Sequence, residues 1–322
     1  MCTAVAWKGY FGRNLDLEYS YREAVAVAPR NYPFCFQGLP DQQPHYAMIG
    51  VANVENDYPL YYDAVNEKGL AMAGLNFPEL AHYGAQVPGK DNVASFEVIP
   101  RILSSCANVA EAEALLKQIN ITATPFSEAY RPTPLHWMIS DLQRSIVLEA
   151  MEDGLHIHEN PVGVLTNNPP FPYHMYHLRD HMQVASAPAA NRFSDQLELK
   201  PYSRGMGGIG LPGDFSSASR FVRAAFVKLN SVSDDTEESR VSQFFHILGS
   251  VAMPRGSVRI TPEEHEITVY SSCCNQKTGT YYFTTYDAPS IRAVALQAED
   301  LEGSQVTAYP LNSKLQFHYL NR

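Results

Sequence analysis

Apolar and polar positions alternate with a period of two at the start, middle and end of the chain, and helix-like spacing separates these three stretches. The opening Cys2-Thr3-Ala4-Val5-Ala6-Trp7 is rich in β-forming residues, Lys8-Gly9 marks a turn, and Tyr10-Phe11-Gly12-Arg13-Asn14-Leu15-Asp16 reads as the returning strand. Strand character continues to about residue 30. A buried strand follows at 46–52, and 61–75 reads as strand, turn, strand, with the turn at 66–69. Helices are predicted over 96–106 and 109–118, the second capped by Asn108. Strand-like sequence returns over 135–149 and 155–165. One helix is expected over 173–184, and amphipathic helices over 216–228 and 237–251. The end reverts to strands at 267–272, 279–286 and 291–296. Alternating βαβ units are absent, which argues against a doubly wound parallel sheet. Two stacked antiparallel sheets with helices outside fit this order better.

Composition narrows the class. The chain has 322 residues, 45% hydrophobic and 18% charged, enough to bury a large core in one large domain or two ordinary ones. No internal repeat, low-complexity tract or clear linker divides it. A net charge of −10 argues against broad nucleic-acid binding and against adhesion to anionic membranes. No apolar run reaches the roughly 18–20 residues of a membrane span, and the opening shows no charged segment followed by an apolar run, so no secretory signal is expected. The five cysteines are Cys2, Cys35, Cys106, Cys273 and Cys274, an odd set with two adjacent and no Cys-x-x-Cys pair. A reduced, cytoplasmic protein is the economical expectation.

Candidate chemistry starts at Cys2. Removing Met1 would leave a thiol and a free α-amine on one residue, with reference pKa values of about 8.5 and about 8. An amine with that pKa can take and return a proton near neutrality, so the residue could carry both nucleophile and base. The short hairpin can bring Arg13 and Asp16 to the chain terminus. An Arg beside a thiol favours thiolate, and an Asp beside an amine can orient it, although the pair also reads as an ordinary ion pair. Asn76 and Asn167 lie at strand ends before Pro, where an amide can serve an oxyanion or simply open a turn. Arg220, in the first turn of a helix, is awkwardly placed for a cation and reads either as a surface Arg or as one that holds a carboxylate. His174, His177 and His181 share one face of the 173–184 helix; a wet, polar face is the expected reading, ahead of metal binding. Cys273 and Cys274 point to opposite faces of a strand. His-Glu-x-x-His, a phosphate-binding Gly-rich loop and Gly-x-Ser-x-Gly are all missing.

Taken together, Met1-Cys2-Thr3, Phe11-Gly12-Arg13-Asn14-Leu15-Asp16, Asn66-Glu67-Lys68-Gly69-Leu70, Gly74-Leu75-Asn76-Phe77-Pro78, Leu135-His136-Trp137, Val164-Leu165-Thr166-Asn167, Gly213-Asp214 and Ser219-Arg220-Phe221 make the chain resemble the choloylglycine hydrolases. That family comprises bile salt hydrolases and penicillin V acylases of the N-terminal-nucleophile hydrolase fold. The match runs over nearly the whole chain, with a shorter first turn than in many relatives. The resemblance implies an α+β fold, a four-layer αββα sandwich, in a single domain over 1–322. It implies Cys2 as nucleophile once Met1 is removed, with Arg13, Asp16, Asn167 and Arg220 as its supporting network. Asn76 stands where bile salt hydrolases carry Asn and penicillin V acylases typically carry Tyr. The implied reaction is hydrolysis of glycine- or taurine-conjugated bile salts through a thioester, with no metal or organic cofactor. A homotetramer is implied, with 195–209 as the counterpart of the family's assembly segment. Leu15, Leu17, Tyr61 and Phe126 are expected to wall a steroid pocket, from their positions beside the motifs. A penicillin V acylase, an N-acyl homoserine lactone acylase and a catalytically silent amphiphile-binding protein stay open as alternatives.

Overall fold

The Lys8-Gly9 turn closes a two-residue hairpin because both residues hold positive φ, +50° and +80°, matching the twist of the strands it joins. In this computed structural model, which describes residues 1–39, 44–311 and 314–321, that hairpin forms the middle of a sheet. The elements in order are β1 (Cys2–Trp7), β2 (Tyr10–Leu17), β3 (Ala24–Ala28), β4 (Met48–Glu55), β5 (Tyr58–Asn66), β6 (Ala71–Asn76), β7 (Asp91–Ala94), α1 (Val98–Ser105), α2 (Val109–Leu116) and β8 (Ile119–Thr122). Then come β9 (Leu135–Ser140), β10 (Ser145–Met151), β11 (Gly154–Glu159), β12 (Val164–Leu165), α3 (Phe171–His177), α4 (Ser217–Asn230) and α5 (Glu237–Gly249). The chain closes with β13 (Val258–Arg259), β14 (His265–Asn275), β15 (Thr280–Thr285), β16 (Ala288–Ala295) and β17 (Thr307–Pro310).

Among the described residues the first sheet runs β12-β1-β2-β14-β15-β16 with β13 beside β14, and the second runs β11-β10-β9-β6-β5-β4-β3-β17. Each neighbouring pair in these two sheets is antiparallel. One core lies between the sheets and under α4 and α5, with Val5, Phe11, Ala71, Ala73, Leu75, Phe221 and Phe244. A second core lies under α1 and α2, with Leu70, Met72, Ile99, Ile102 and Leu116. Residues 70 to 75 thus send alternate side chains into different cores, as a strand buried on both faces must. The layers are helix, sheet, sheet, helix, the αββα sandwich expected.

The structure corrects several boundaries. The 155–165 strand is two strands on different sheets, because Asn160 turns the chain by bonding the Gly163 N–H at 2.8 Å and the Val164 carbonyl at 3.0 Å. The helix expected over 173–184 begins at Phe171 and tightens into a 3₁₀ turn at Leu178–His181. The parallel pair β7–β8 and the strand β17 were not expected. Between β2 and β14 the register slips at Val269, so Asp16 pairs with Thr268 while Leu15 pairs with Tyr270. Gly12 permits that pairing, since a Cβ there would collide with the Ser272 carbonyl oxygen.

Candidate active site

Cys2 opens β1 opposite Leu15, and Ala4 lies opposite Arg13. Cross-strand partners share a face and successive residues alternate, so Cys2 and Arg13 face the space between the sheets. Asp16 and Thr3 face the helix side. Arg13 can therefore reach the thiol, and Asp16 can reach only the backbone end of the same residue.

Arg13 is fully buried and donates from Nη1 to the carbonyls of Tyr62 (2.9 Å) and Gly74 (2.6 Å). Its Nη2 has no hydrogen-bond partner. Burial works to lower its pKa, but the charges of Cys2, Tyr270, Asp63 and Asp16 outweigh burial and raise it. Behind it lies Asp63, buried between the hydroxyls of Tyr270 (2.6 Å) and Tyr281 (2.5 Å). Burial pushes the Asp63 carboxyl up, against the opposing pull of Arg13 and these hydroxyls. Asp16 is also fully buried. Its Oδ1 accepts from the Thr268 hydroxyl at 2.6 Å, and its Oδ2 has no partner. Burial raises the Asp16 pKa over the opposing effects of Arg220, the chain's terminal amine, Thr268 and Arg13.

Arg220 reaches from α4 to the Cys2 carbonyl (2.5 Å), the Thr3 hydroxyl (2.7 Å) and Asn167 Oδ1 (2.7 Å). Its partners are neutral oxygens, so the expectation of a carboxylate bound directly to it does not hold; the Asp16 charge acts on it only across space. Asn167 Oδ1 also accepts the Cys2 N–H at 2.8 Å, and its Nδ2 donates to the Asn76 carbonyl at 2.7 Å. An amide nitrogen has two hydrogens, so one remains uncommitted. The Asn76 side chain makes no hydrogen bond among the described residues. Cys2, Arg13, Asp16, Asn76, Asn167 and Arg220 thus come together from five separate segments.

Several partners in this network had no sequence signal. Thr268, Asp63 and Ser217, whose hydroxyl accepts the Asn167 N–H at 2.8 Å, are ordinary residues of strands and helix starts until the fold places them. His174 lies on no wet face. It is buried, its Nε2 donates to the Asn167 carbonyl at 2.8 Å, and burial lowers its pKa to about 4. His177 and His181 turn instead to Asp180 and the Gly210 carbonyl. Of the expected pocket residues, Leu15 and Leu17 belong to the core that contains Cys2. Tyr61 and Phe126 belong to the other core, where the Tyr61 hydroxyl meets the Ala26 carbonyl at 3.3 Å and Phe126 packs on Tyr58, Phe96 and Tyr130. At that point in β5 the residue on the Cys2 side is Tyr62.

Met1 is present, so the Cys2 nitrogen is a peptide nitrogen. The Met1 amine donates to the Asp16 carbonyl at 2.7 Å and pairs with Glu266.

Comparison with known proteins gives one consistent result. Residues 2–309 match the family model for linear amide C–N hydrolases of the choloylglycine hydrolase family. A bile salt hydrolase/transferase of Lactiplantibacillus plantarum is 47% identical over the whole of both chains. A crystal structure of a conjugated bile acid hydrolase from Clostridium perfringens superposes over all of both chains with a TM-score of 0.93 at 36% identity. The penicillin V acylase of Agrobacterium tumefaciens shares the fold, with a TM-score of 0.76 at 20% identity over 97% of this chain and 92% of that one.

Proposed function

Because the chain belongs to the choloylglycine hydrolase family of linear amide C–N hydrolases, we propose that it hydrolyses glycine- and taurine-conjugated bile acids, with Cys2 as nucleophile after loss of Met1. The observation that carries the mechanism is a pair of buried, unpartnered polar atoms, Arg13 Nη2 and Asp16 Oδ2, on strand faces either side of Cys2. Buried polar groups are rarely left unsatisfied, and these two match the bonds a mature Cys2 would make. Arg13 Nη2 is the donor for the thiolate. Asp16 Oδ2 is the acceptor for the α-amine, which gains hydrogens when the Met1 peptide bond is cut.

The thiolate attacks the amide carbonyl and forms a tetrahedral oxyanion. The free hydrogen of Asn167 Nδ2 and the side-chain amide of Asn76 donate to it. The Cys2 amine, having taken the thiol proton, returns it to the nitrogen of the departing glycine or taurine. Water then attacks the thioester, releasing the bile acid and restoring the thiol. Splitting one hard step into two is the gain of covalent catalysis. Leu15, Leu17 and Tyr62 supply apolar surface for the steroid body. Five free cysteines accord with a reducing, cytoplasmic setting, and no helix among the described residues is long and apolar enough to cross a membrane. Exposed Leu197, Leu199, Tyr202 and Ile209 favour 195–209 as an assembly surface of a homotetramer.

The test is hydrolysis of glycocholate and taurocholate beside phenoxymethylpenicillin, with Cys2→Ala as control. We expect the conjugates to be cleaved faster and the control to be inert. Faster cleavage of the penicillin would overturn the substrate assignment, and turnover by Cys2→Ala the mechanism.

A further inference from the structure

Two buried histidines grip the carbonyls on successive residues at Asn167. His136, on β9, holds the Thr166 carbonyl at 2.9 Å through Nε2, and His174 holds the Asn167 carbonyl at 2.8 Å through its own Nε2. The other nitrogen of His136 meets Glu149 Oε1 at 3.1 Å, and the same oxygen accepts the Phe171 N–H at 2.9 Å. Both ring nitrogens of His136 are therefore committed to buried oxygens, which fixes the ring in place. His136 and Glu149 are both fully buried. Their environment also contains His158, whose Nε2 lies 3.4 Å from Glu149 Oε2, and His174. Burial works to raise the Glu149 pKa, but His136 and His158, with the Phe171 N–H, outweigh it and hold the carboxyl near about 2. The face of the His136 ring stacks on Phe77, centroids 4.3 Å apart and planes 7° from parallel. Phe77 directly follows Asn76.

We propose that His136, anchored by Glu149 and assisted by His174, is the positioning residue of the oxyanion site: one imidazole fixes the backbone before Asn167 by hydrogen bond and the residue after Asn76 by stacking. Neither histidine touches substrate. Asn76 and Asn167 come from different sheets, and the only covalent link between them runs through ninety residues of chain. Their side-chain amides can converge on one oxygen only if the two strand ends are held in mutual register, and a displacement of 1 Å in such a site costs about 10²-fold in rate. The buried His136–Glu149 contact at 3.1 Å fixes the orientation of the ring, which suits it to this task.

The inference rests on Asn76 and Asn167 being the oxyanion donors, so the test separates the two. Glutamine places its amide nitrogen where Nε2 of histidine lies, and asparagine places it where Nδ1 lies. His136→Gln therefore retains the bond to Thr166, and His136→Asn retains only the bond to Glu149. Both lose the ring, so they share its structural cost. We expect kcat on glycocholate to fall about 10²-fold further in His136→Asn than in His136→Gln, with KM changed by less than about threefold. Alkylation of Cys2 by iodoacetamide needs a thiolate but generates no oxyanion, so its rate stays within about threefold of wild type in both. Equal kcat values in the two variants, or alkylation falling in step with kcat, would overturn the positioning role. If the buried His136 variants do not fold, His174→Gln against His174→Asn makes the same comparison at the next carbonyl, with the same two outcomes. An active wild type with no difference in either pair sinks this inference alone. A wild type inert toward both conjugates sinks the reading of the reaction and this inference together.

Discussion

At the scale of single residues, charge is buried where chemistry needs it and stability does not. Burial raises the Asp16 pKa, so the ionised form costs folding free energy: stability is fullest below the ordinary carboxylate pKa and is lost as pH rises through the raised one. Replacing Asp16 with Asn removes that cost. The Asp16→Asn protein should melt at or above the wild-type temperature at pH 7 while kcat falls by about 10²-fold or more, the usual reach of acid–base assistance. A calorimetric scan beside a glycine-release assay reads both, and a normal kcat would refute the role. Side-chain parity decides a second case. Tyr61 and Tyr62 are neighbours, but Tyr62 packs with the Cys2 core and Tyr61 with the other. Tyr62→Ala should raise KM for glycocholate several-fold, about what one lost apolar contact is worth, whereas Tyr61→Ala should lower the melting temperature with KM unchanged. The reverse pattern in a kinetic titration would reassign the pocket wall. Sequence proximity to the motifs suggested Tyr61 and could not distinguish it from Tyr62, because strand register sets the face.

At the scale of elements, the segment from β12 to α3 ties the two sheets to α4. Ser217 at the start of α4 accepts the Asn167 N–H, Arg220 one turn later reaches Asn167 Oδ1, and His174 from α3 closes the third side. Its acid response follows. His174 is held neutral, with its pKa lowered to about 4 from 6.5, chiefly by burial. The unfolded chain therefore binds more protons between those values, so stability rises with pH across the window and is lost as pH falls from about 6.5 to about 4. A shift of that size in a buried group is worth roughly 3 kcal/mol. His174→Gln keeps the donor and removes the titration, so its urea midpoint should be flatter than wild type between pH 6.5 and 4. Parallel slopes in the two proteins would rule His174 out as the acid-sensitive group. Helix periodicity grouped His174, His177 and His181 on one polar face, yet it could not say that His174 is covered by Phe221, against which the ring stacks at 4.8 Å.

At the scale of the whole molecule, the sandwich leaves a run of large apolar side chains uncovered at Leu197, Leu199, Tyr202 and Ile209. If these cover one another between copies, Leu197→Ser with Leu199→Ser should convert a tetramer to smaller species in light scattering after size exclusion. A wild-type monomer at micromolar concentration would end that proposal. The layered architecture was legible because alternation, turn residues and helix spacing are local signals, and they agreed from Cys2 to Ala295. The parallel pair β7–β8 and the strand β17 were not, since short strands borrow their stability from distant neighbours. Cys2, Arg13, Asp16, Asn167 and Arg220 stood out because the motifs that hold them together resemble one family, although each alone also read as ordinary strand-end, turn or surface chemistry. Thr268, Asp63, His136 and Glu149 did not, because a Thr, an Asp or a buried His–Glu contact acquires its meaning from what is packed against it. The order of amino acids alone determined most of the strands, the helices and the residue able to serve as nucleophile, since those follow from local periodicity and functional groups. Only the tertiary structure decided which face each side chain takes and which remote groups hold it, because register and burial depend on contacts between segments far apart in the chain.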